Sequence, residues 1–379
     1  MRSSSGSLFI GLMSGTSLDG VDGVLASLPG PGMPGSASTM TTAFIAFPDS
    51  LRAELMALQT AGENEIQREA LAGNTLAEIF SQCVMLLLAQ ADLQADSIAA
   101  IGVHGQTIRH RPDLGFTWQT GNPALLAELT GIDVVADFRS RDIAAGGQGA
   151  PLVPAFHQAV FGDASERRVV ANIGGIANIS VLMRNDEAPI VGFDTGPGNM
   201  LMDAWIATHQ SHAYDDRGHW AASGRIVPDL LASLRRDPYF ALPPPKSTGR
   251  DLFDAAWLAR QLAPFPLVSP VDVQATLAAF TATTLADAIV RHAPDARGVY
   301  VCGGGAYNTH LLTKLQMALA SLGSAAMVSA TDVLGVPPNH VEALAFAWLA
   351  QRFIHRLPGN LASVTGARGL RILGALYPA

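Results

Sequence analysis

Apolar residues near the start of the chain fall into short runs whose lengths are typical of β-strands. The first run is Leu8–Met13, and the second is Val21–Ala26, with Asp19-Gly20 just before it. Asp-Gly flanked by apolar runs is a strong signal for a hairpin turn. We therefore predict a β-hairpin, then a loop over the Gly-, Pro- and Ser-rich residues 30–38, and a third strand over 42–47.

The following hundred residues alternate between helical and strand patterns. Apolar residues recur at helical spacing over 65–93, which predicts helix, divided in two near Gly73-Asn74. Asn122-Pro123 is typical of a helix start and Gly131 of its end. Short buried strands are predicted over 97–102 and 132–136. Strands that alternate with helices indicate an α/β protein.

The second half of the chain repeats this pattern. Strands are predicted over 168–171, 179–183, 190–193, 298–302 and 327–330, and helices from Met200, over 274–292 and over 341–354. Each half begins with a hairpin whose turn is rich in glycine, and another glycine turn follows the strand over 298–302. Ligands of open α/β sheets bind at the carboxyl ends of strands. These turns are therefore candidate ligand sites, although each could be only a tight turn.

The length of 379 residues favours two domains over a single core. We place the crossover near Ala136 and expect the last helix to pack back on the first domain. The expected domains are 1–136 with about 343–379, and 137–342.

Charge and composition exclude several classes of protein. The formal net charge of -8 argues against a nucleic-acid partner or an anionic membrane surface. Cys83 and Cys302 lie in apolar runs, as buried thiols of a reducing compartment do. Leu8–Met13 is too short and too interrupted for a signal peptide, and the later apolar run Val84–Ala89 is too short to cross a bilayer. A soluble cytoplasmic protein is expected.

The first hairpin has an unusual tip. Residues 14–22 hold two glycines, three hydroxyl side chains and the carboxylates of Asp19 and Asp22. Gly15 and Gly20 allow close approach of the backbone to a ligand, and small hydroxyls fit around phosphate oxygens. A solvated turn is the alternative, and the hairpin alone does not decide between them.

Several motifs together resemble one family. In chain order they are GLMSGTSLDG, HGQTIRH, GNPALLAELTGIDVVADFR, GGQGAPLVPAFH, NIGG, GFDTGPGN, KSTGR and VCGGGAYN. The set resembles the anhydro-N-acetylmuramic acid kinase family from Leu8 to the C-terminus. The resemblance implies a two-domain actin-like ATPase (ribonuclease H-like) fold with a nucleotide and sugar cleft between the domains. It also implies a homodimer in the bacterial cytoplasm that recycles cell-wall sugar. The implied reaction converts 1,6-anhydro-N-acetylmuramic acid, ATP and water to N-acetylmuramic acid 6-phosphate and ADP, with Mg²⁺.

The resemblance implies three ATP-binding segments. They comprise Gly15, Thr16, Ser17, Leu18, Asp19, Gly20, Val21 and Asp22 of the hairpin, Gly174 and Gly175, and Gly303, Gly304 and Gly305. Thr16 and Ser17 would donate to phosphate oxygens, and the last three glycines would lie against adenosine. A plain hairpin turn at Gly174-Gly175 and a close strand-to-helix crossing at Gly303–Gly305 are the structural alternatives. The sequence has no GxxxxGK[ST] pattern, which disfavours a P-loop kinase.

Asp194 is the candidate catalytic base. It follows a buried strand and precedes Gly196-Pro197-Gly198, where an aspartate that caps the next helix is an equally good interpretation. The resemblance favours the base, because the family places its catalytic aspartate in GFDTGPGN. Asp19 is a candidate for reaching Mg²⁺ through water, or else a turn residue.

For the sugar, the resemblance makes Gln106, Thr107, Arg139 and Glu342 candidates. Arg139 and Asp142 either bind the lactyl carboxylate or pair with one another, and a glutamate such as Glu342 is favoured in a first helical turn by the helix dipole alone. His104 fits a structural role better than a catalytic one.

The basic loop Lys246–Arg250 either lines a cleft near anions or is solvated. Two other functions remain open. One is a kinase of the same fold for a free sugar or a carboxylate, and the other is an actin-like filament or chaperone ATPase.

Overall fold

The structure is a computed structural model that describes residues 6–15, 18–30, 37–184, 190–249 and 252–379. Thr16, Ser17 and Arg250 lie outside these ranges, as does part of the loop predicted over 30–38.

The strands lie throughout the chain. They are β1 Ser7–Met13, β2 Gly20–Leu28, β3 Ser38–Ala46, β4 Ile98–Val103, β5 Gln106–Arg111, β6 Phe116–Thr120, β7 Val134–Ala136, β8 Arg168–Ile173, β9 Ile176–Val181, β10 Val191–Pro197, β11 Gly298–Cys302, β12 Met327–Ala330 and β13 Ala375–Tyr377. The predicted hairpins and the strands over 298–302 and 327–330 are confirmed.

Helices alternate with these strands. They are α1 Asp49–Ala57, α2 Glu65–Ala91, α3 Pro123–Thr130, α4 Ser140–Ala144, α5 Val153–Phe161, α6 Met200–Gln210, α7 His219–Ser223, α8 Pro228–Leu234, α9 Ala255–Leu262, α10 Pro270–His292, α11 Thr309–Ser321, α12 Val341–Ile354 and α13 Ala362–Thr365. Short 3₁₀ segments lie at Ala95–Ser97, Pro112–Leu114, Asp216–Gly218, Pro238–Ala241, Gly304–Tyr307, Thr331–Leu334 and Pro338–His340.

The chain divides into two compact units, Met1–Phe156 with His340–Ala379, and His157–Asn339. The boundaries thus fall after residues 156 and 339, compared with the expected positions near 136 and 342.

Each unit contains a main sheet with the same strand order. The order is β13-β7-β4-β1-β2-β3 in the first unit and β10-β9-β8-β11-β12 in the second. Starting from β3 and from β10, each sheet has three antiparallel strands followed by two strands parallel to the first, and β13 adds a sixth, antiparallel strand to the sheet of the first unit. This order is that of ribonuclease H-like folds, and the predicted α/β class is confirmed. The carboxyl ends of β1 and β4 therefore share one sheet edge, as do those of β8 and β11.

Helix α2 is continuous, so the predicted division near Gly73-Asn74 is wrong. Gly73 lies inside the helix, and a Cβ there would be 3.3 Å from the backbone of Gly121. The glycine therefore allows the two backbone segments to approach, at a cost in helix propensity of about 1 kcal/mol. In contrast, α3 begins and ends as predicted. Asn122 Oδ1 accepts from the Leu125 amide at 3.0 Å, and Gly131 has left-handed geometry.

Helix α12, which the sequence predicted over 341–354, packs directly on the first sheet. Cβ atoms at Gly11 of β1 and Gly102 of β4 would lie 1.8 Å from the Ala343 oxygen and 2.0 Å from the Phe346 oxygen. Only glycine in both central strands allows the helix backbone to lie this close. This packing brings the first turn of α12, with Glu342, towards the carboxyl ends of β1 and β4.

Helix α10 forms the centre of the second core. Its N-terminus is capped by Ser269, whose Oγ accepts from the Asp272 amide at 3.3 Å. By length and composition alone, α2 and α10 could each cross a membrane, yet 56% and 78% of their most apolar stretches are buried in the protein. Apolar helices of a protein core have this composition. Cys83 and Cys302 are both buried, as predicted.

Candidate active site

The turn between β1 and β2 is held by the segment that follows β4. Ser14 Oγ donates to the Gly105 carbonyl oxygen at 3.0 Å, and Gln106 Nε2 donates to the Gly15 carbonyl oxygen at 3.1 Å. The Leu18 amide donates to the same Gly15 oxygen at 3.3 Å. The predicted phosphate hairpin and the predicted sugar-binding segment are therefore in direct contact at one sheet edge.

Some residues of the predicted phosphate hairpin have structural roles. The side chains of Leu18 and Val21 are 2% and 0% exposed and belong to the core. A Cβ at Gly20 would lie 2.3 Å from the Ile45 carbonyl oxygen of β3. A ligand can therefore meet these three residues only through their main chain. Thr16 and Ser17, the predicted hydroxyl donors, lie outside the described residues.

Carboxylates gather next to this turn. Burial, and then the neighbouring carboxylates of Asp19 and Glu342, raise the pKa of Asp22 to about 7. His340 Nδ1 lies 4.0 Å from Asp22 Oδ1, but burial lowers the pKa of His340, so its ring is neutral at pH 7. The carboxylates therefore repel one another, and a bound cation would stabilise their charged forms.

The carboxylates beside this turn have the oxygen chemistry that Mg²⁺ prefers. In the described part of the chain, no three His, Cys, Asp or Glu side chains are grouped so as to hold a metal ion. Mg²⁺ in phosphotransfer sites keeps several waters and takes one or two carboxylates with substrate phosphates, so it does not need such a group. Asp19 and Asp22 fit a hydrated Mg²⁺ that arrives with a nucleotide.

Arg139 is held by His104. Arg139 Nε and Nη2 lie 3.2 and 3.0 Å from His104 Nε2, and Nη1 donates to the Gly149 oxygen at 2.8 Å. His104 Nε2 must accept from the guanidinium, so Nδ1 carries the proton and donates to the Ser14 oxygen at 3.1 Å. Burial, and then Arg139, lower the pKa of His104 to about 3, which keeps the ring neutral. The predicted structural role of His104 fits this arrangement.

Arg139 interacts electrostatically with Glu342. Burial raises the pKa of Glu342, and the Arg139 guanidinium opposes that rise. Burial lowers the pKa of Arg139 to about 10, while Glu342 acts in the opposite direction. The structure thus brings together two of the predicted sugar-binding residues.

Asp142 does not form the proposed ion pair with Arg139 within the described residues. Its Oδ1 accepts from Asn360 Nδ2 at 2.6 Å and Thr365 Oγ1 at 2.8 Å, and its Oδ2 accepts from the Gly149 amide at 2.9 Å. Asp142 is fully buried, so it joins the 142–149 loop to the C-terminal segment. That interpretation of Arg139 and Asp142 as partners was therefore wrong.

The other two predicted sugar contacts differ in exposure. Gln106 is fully buried, and its Oε1 lacks a hydrogen-bond partner in the part of the chain that the structure describes. Thr107 is half-buried, and its Oγ1 accepts from Gln119 Nε2 at 3.1 Å. Gln106 thus has a free acceptor, while its amide nitrogen already holds the hairpin turn.

In the second unit, Gly174-Gly175 forms the turn between β8 and β9. The carbonyl oxygens of this turn accept from the amides of Gly198, Asn199 and Met200 at 2.8 to 3.2 Å. A Cβ at Gly198 would lie 2.3 Å from the Gly174 oxygen, so glycine is required there. Cβ atoms at Gly174 and Gly175 would meet nothing closer than 3.6 and 3.8 Å. Packing therefore explains Gly198 but leaves both turn glycines unexplained.

The three glycines after β11 also differ in whether packing requires glycine. Gly303 has φ +77°, and a Cβ there would lie 2.4 Å from Asn172 Oδ1. A Cβ at Gly305 would lie 2.4 Å from the Ile173 side chain. Gly304 has no comparable neighbour, the nearest atom being Asn199 Nδ2 at 3.7 Å. The close-crossing interpretation therefore accounts for Gly303 and Gly305 and leaves Gly304 open to a ligand.

Asp194 lies on β10 with its carboxylate partly exposed. Its Oδ2 accepts from the Thr248 amide at 3.0 Å, and its own amide donates to the Lys246 oxygen at 3.1 Å. Oδ1 has no hydrogen-bond donor within the ranges that the structure describes. Burial raises the pKa of Asp194 to about 6, against the lowering effects of the Thr248 amide and Lys246. The carboxylate therefore has one fixed oxygen, one available oxygen and a pKa suited to a base near neutral pH.

The sequence did not reveal the residues that position Asp194. Tyr239 donates its hydroxyl proton to the Asp194 carbonyl oxygen at 2.6 Å. The ring of Phe240 comes within 2.7 Å of where a Cβ at Gly196 would lie, so it fixes that glycine. Tyr239 lies 45 residues after Asp194 in the sequence, and no repeating pattern of residues connects Tyr239 or Phe240 to β10. The adjacent Pro243-Pro244-Pro245 is a local sequence feature that indicates a stiff segment here.

The solved structures compared with this chain include distant matches. The activator of the 2-hydroxyisocaproyl-CoA dehydratase from Clostridium difficile with bound ADPNP matches with a TM-score of 0.46 at 12% identity, over 92% of this chain and 96% of that chain. A similarity below a TM-score of 0.5 adds nothing to the assignment.

Sequence comparison is far more specific. A family model described as anhydro-N-acetylmuramic acid kinase matches residues 7–379. The anhydro-N-acetylmuramic acid kinase of Burkholderia orbicola (strain MC0-3) is 57% identical over 371 residues, covering 98% of this chain and 96% of the relative. The enzyme of the same name from Cupriavidus pinatubonensis is 56% identical over 379 residues, covering 98% and 99%. This chain therefore belongs to the anhydro-N-acetylmuramic acid kinase family, a family of phosphotransferases.

Proposed function

We propose that this chain is an ATP-dependent kinase that opens 1,6-anhydro-N-acetylmuramic acid with water and phosphorylates O6. The products are N-acetylmuramic acid 6-phosphate and ADP. The family supports the substrate class, and the observation that carries the mechanism is the environment of Asp194. We assign Asp194 as the base that activates water.

The substrate determines what this base must do. In the anhydro sugar, O6 is an ether oxygen and carries no proton, so the base cannot activate it as in ordinary sugar kinases. A water must instead attack C1. With a pKa of about 6, Asp194 is roughly nine-tenths ionised at pH 7 and is still basic enough to accept a proton. The Thr248 amide fixes Oδ2, so Oδ1 is the oxygen available to that water.

The bond changes balance as follows. The water oxygen bonds to C1, and its proton passes to Asp194. The C1–O6 bond breaks with its electron pair on O6, which attacks the γ-phosphorus of ATP in line with the departing ADP oxygen. Asp194 holds the proton until the products leave. Glu342 and Arg139 are proposed to orient the sugar, and the free Oε1 of Gln106 to accept a sugar hydroxyl.

For ATP, we propose main-chain contacts at the open glycines. Gly174 and Gly175 would face phosphate oxygens, and Gly304 would face the nucleoside, because added Cβ atoms at these positions meet nothing closer than 3.6 Å. The first hairpin contributes through its main chain and Asp19. When bound, Mg²⁺ would offset the developing phosphate charge, and Asp19 and Asp22 are the residues that would hold it through water.

The cellular setting is part of the proposal. We infer a cytoplasmic homodimer in murein recycling and amino-sugar catabolism, without a nucleic-acid or membrane partner. The family resemblance supports the pathway and the dimer. The net charge of -8 supports the absence of a nucleic-acid or anionic-membrane partner.

The test uses the anhydro sugar and ATP in ¹⁸O-water, with mass spectrometry of the product at early times. We expect one ¹⁸O at C1 and none in the phosphate or at O6. Unlabelled N-acetylmuramic acid 6-phosphate in the same water corrects for spontaneous exchange at C1. No conversion of the anhydro sugar would refute the proposal. Faster phosphorylation of free N-acetylmuramic acid would favour the ordinary sugar kinase.

A further inference from the structure

A cavity of about 320 Å³ lies on the second unit beside β10. Its walls include Phe193 and Thr195 of β10, Phe240 and Lys246 of the following loop, and Arg291 and His292 at the end of α10. Asp194 is not among the lining residues. Since consecutive strand residues point to opposite faces, the Phe193 side chain and the Asp194 carboxylate face opposite ways. The volume suits a small molecule.

The cavity has an excess of positive charge. Its two carboxylates are already engaged: Asp287 pairs with Arg235, and Asp237 accepts from Trp257 Nε1 at 2.9 Å and from the Tyr239 amide at 3.0 Å. In the described part of the chain, neither Lys246 nor Arg291 forms an ion pair with a carboxylate. A charged group without a counter-ion at a cavity wall favours an anionic ligand.

The cationic groups that line the cavity repel one another. Burial and the Arg291 charge lower the pKa of Lys246, while Asp194 opposes this shift. Burial, Arg291 and Lys246 lower the pKa of His292. Lys246 Nζ donates to the Tyr239 main-chain carbonyl oxygen at 3.1 Å and lies 4.4 Å from the centre of the Tyr239 ring. These protein groups fix the position of the ammonium group. A dianion would relieve the repulsion between Lys246 and Arg291.

The cavity is linked to the catalytic base by a short segment. Lys246 lines the cavity with its side chain, and its carbonyl oxygen accepts from the Asp194 amide. Two residues later, the Thr248 amide holds the Asp194 carboxylate. A ligand that pulls on Lys246 therefore acts on the segment that fixes the base.

We propose that this cavity binds a small ligand through a phosphate group, and that its occupancy changes the turnover supported by Asp194. The phosphate could belong to inorganic phosphate or to a phosphorylated amino sugar. Binding does not depend on the proposed function, whereas the effect on turnover rests on it.

Binding is measured by calorimetry on the full chain with the nucleotide site filled by a non-hydrolysable ATP analogue. Inorganic phosphate and N-acetylglucosamine 6-phosphate are titrated separately. We expect Arg291→Gln to weaken binding of the tighter ligand at least about tenfold, the loss typical of one charge-assisted hydrogen bond. Arg260→Gln is the matched control, since Arg260 is exposed on α9 and does not line the cavity. It should bind as the unaltered chain does.

The two ligands identify the occupant. Tighter binding of the sugar phosphate assigns the cavity to a phosphorylated sugar, and equal binding assigns it to phosphate alone. The site is refuted if Arg291→Gln binds both ligands as well as the unaltered chain, or if Arg260→Gln loses as much. A dimer that dissociates in Arg291→Gln would instead make the cavity an interface between copies.

Measurement of kcat provides the second part of the test. The ligand should change kcat of the unaltered chain and leave kcat of Arg291→Gln unaffected. Binding without an effect on kcat refutes the regulatory part alone. If the unaltered chain fails to convert the anhydro sugar, the proposed function fails, while calorimetry still decides the site.

Discussion

The turn glycines of β8 and β9 allow a sharp test of nucleotide binding. We predict that Gly175→Ala weakens ATP binding without destabilising the protein. A Cβ at Gly175 has no neighbour closer than the Met200 Cβ at 3.8 Å, and the residue does not have positive φ. The free energy of unfolding should therefore change by less than about 0.5 kcal/mol. If ATP phosphates lie on this turn, the added methyl group occupies their space.

The magnitude follows from the hydrogen bonds that would be lost. A hydrogen bond to a charged group contributes about 1.5–3 kcal/mol, so displacing a phosphate from one amide should raise the Kd for ATP roughly 10- to 100-fold. Calorimetric titration with a non-hydrolysable ATP analogue measures this change directly. The KM for ATP should rise in parallel.

Gly198→Ala is the matched control. It adds the same methyl group nearby, but this methyl group strikes the protein and should destabilise it. Its Cβ would lie 2.3 Å from the Gly174 oxygen, a backbone atom that cannot rotate away. Overpacking of this kind costs about 1–3 kcal/mol and lowers the Tm by roughly 2 to 12 °C for a unit of this size. The reasoning is refuted if Gly175→Ala binds ATP normally, or if it lowers the Tm as much as Gly198→Ala.

Four further predictions concern the proposed base Asp194 (two predictions), the contact of Asp142 with the C-terminal segment, and the glycines after β11. Asp194→Asn should lower kcat by about 10²–10⁴ in a coupled ADP assay while calorimetry shows intact ATP binding; near-normal kcat contradicts the assignment. Because burial raises the Asp194 pKa to about 6, its base form is lost below that pH, so kcat should fall about tenfold per pH unit there, and a flat profile down to pH 5 would exclude Asp194 as the base. Asp142→Ala should lower the free energy of unfolding by about 3 kcal/mol or more, measured by chemical denaturation, because its buried partners lose their acceptor; an unchanged free energy together with a raised KM for the sugar would restore its binding role. Gly304→Ala should raise the KM for ATP at unchanged Tm, whereas Gly303→Ala, with φ +77°, should lower the Tm; the reverse pattern is the contrary result.

Local sequence signals predicted the elements whose ends are fixed locally. Helix α3 begins and ends as predicted because Asn122, Pro123 and Gly131 act within one turn of its ends. Helix α2 was wrongly divided because the reason for Gly73 is a backbone contact with Gly121, far along the chain. Strand β13 pairs with β7 across most of the chain length, and no periodic pattern predicts such pairing.

The candidate site shows the same limit. The motif that contains Asp194 is local, and the family resemblance favoured Asp194 as the candidate base where the local residues left two interpretations open. Tyr239 and Thr248, which hold Asp194, lie 45 and 54 residues away. Likewise, the carboxylate of Asp142 pairs with Asn360 and not with the neighbouring arginine. Local motifs thus indicate candidate residues, whereas the tertiary fold determines which residues hold them in place.

The glycines themselves now distinguish the alternatives that the sequence left open. A glycine can be explained by positive φ or by an atom that a Cβ would strike. We compared the glycines that lack positive φ and whose Cβ neighbours the structure describes. At these glycines, an added Cβ would have a neighbour within 3.3 Å, except at Gly174, Gly175 and Gly304. All three lie in segments that family resemblance assigns to ATP. Since neither conformation nor packing requires glycine there, we predict that these three positions are where nucleotide binding responds most to a single added methyl group.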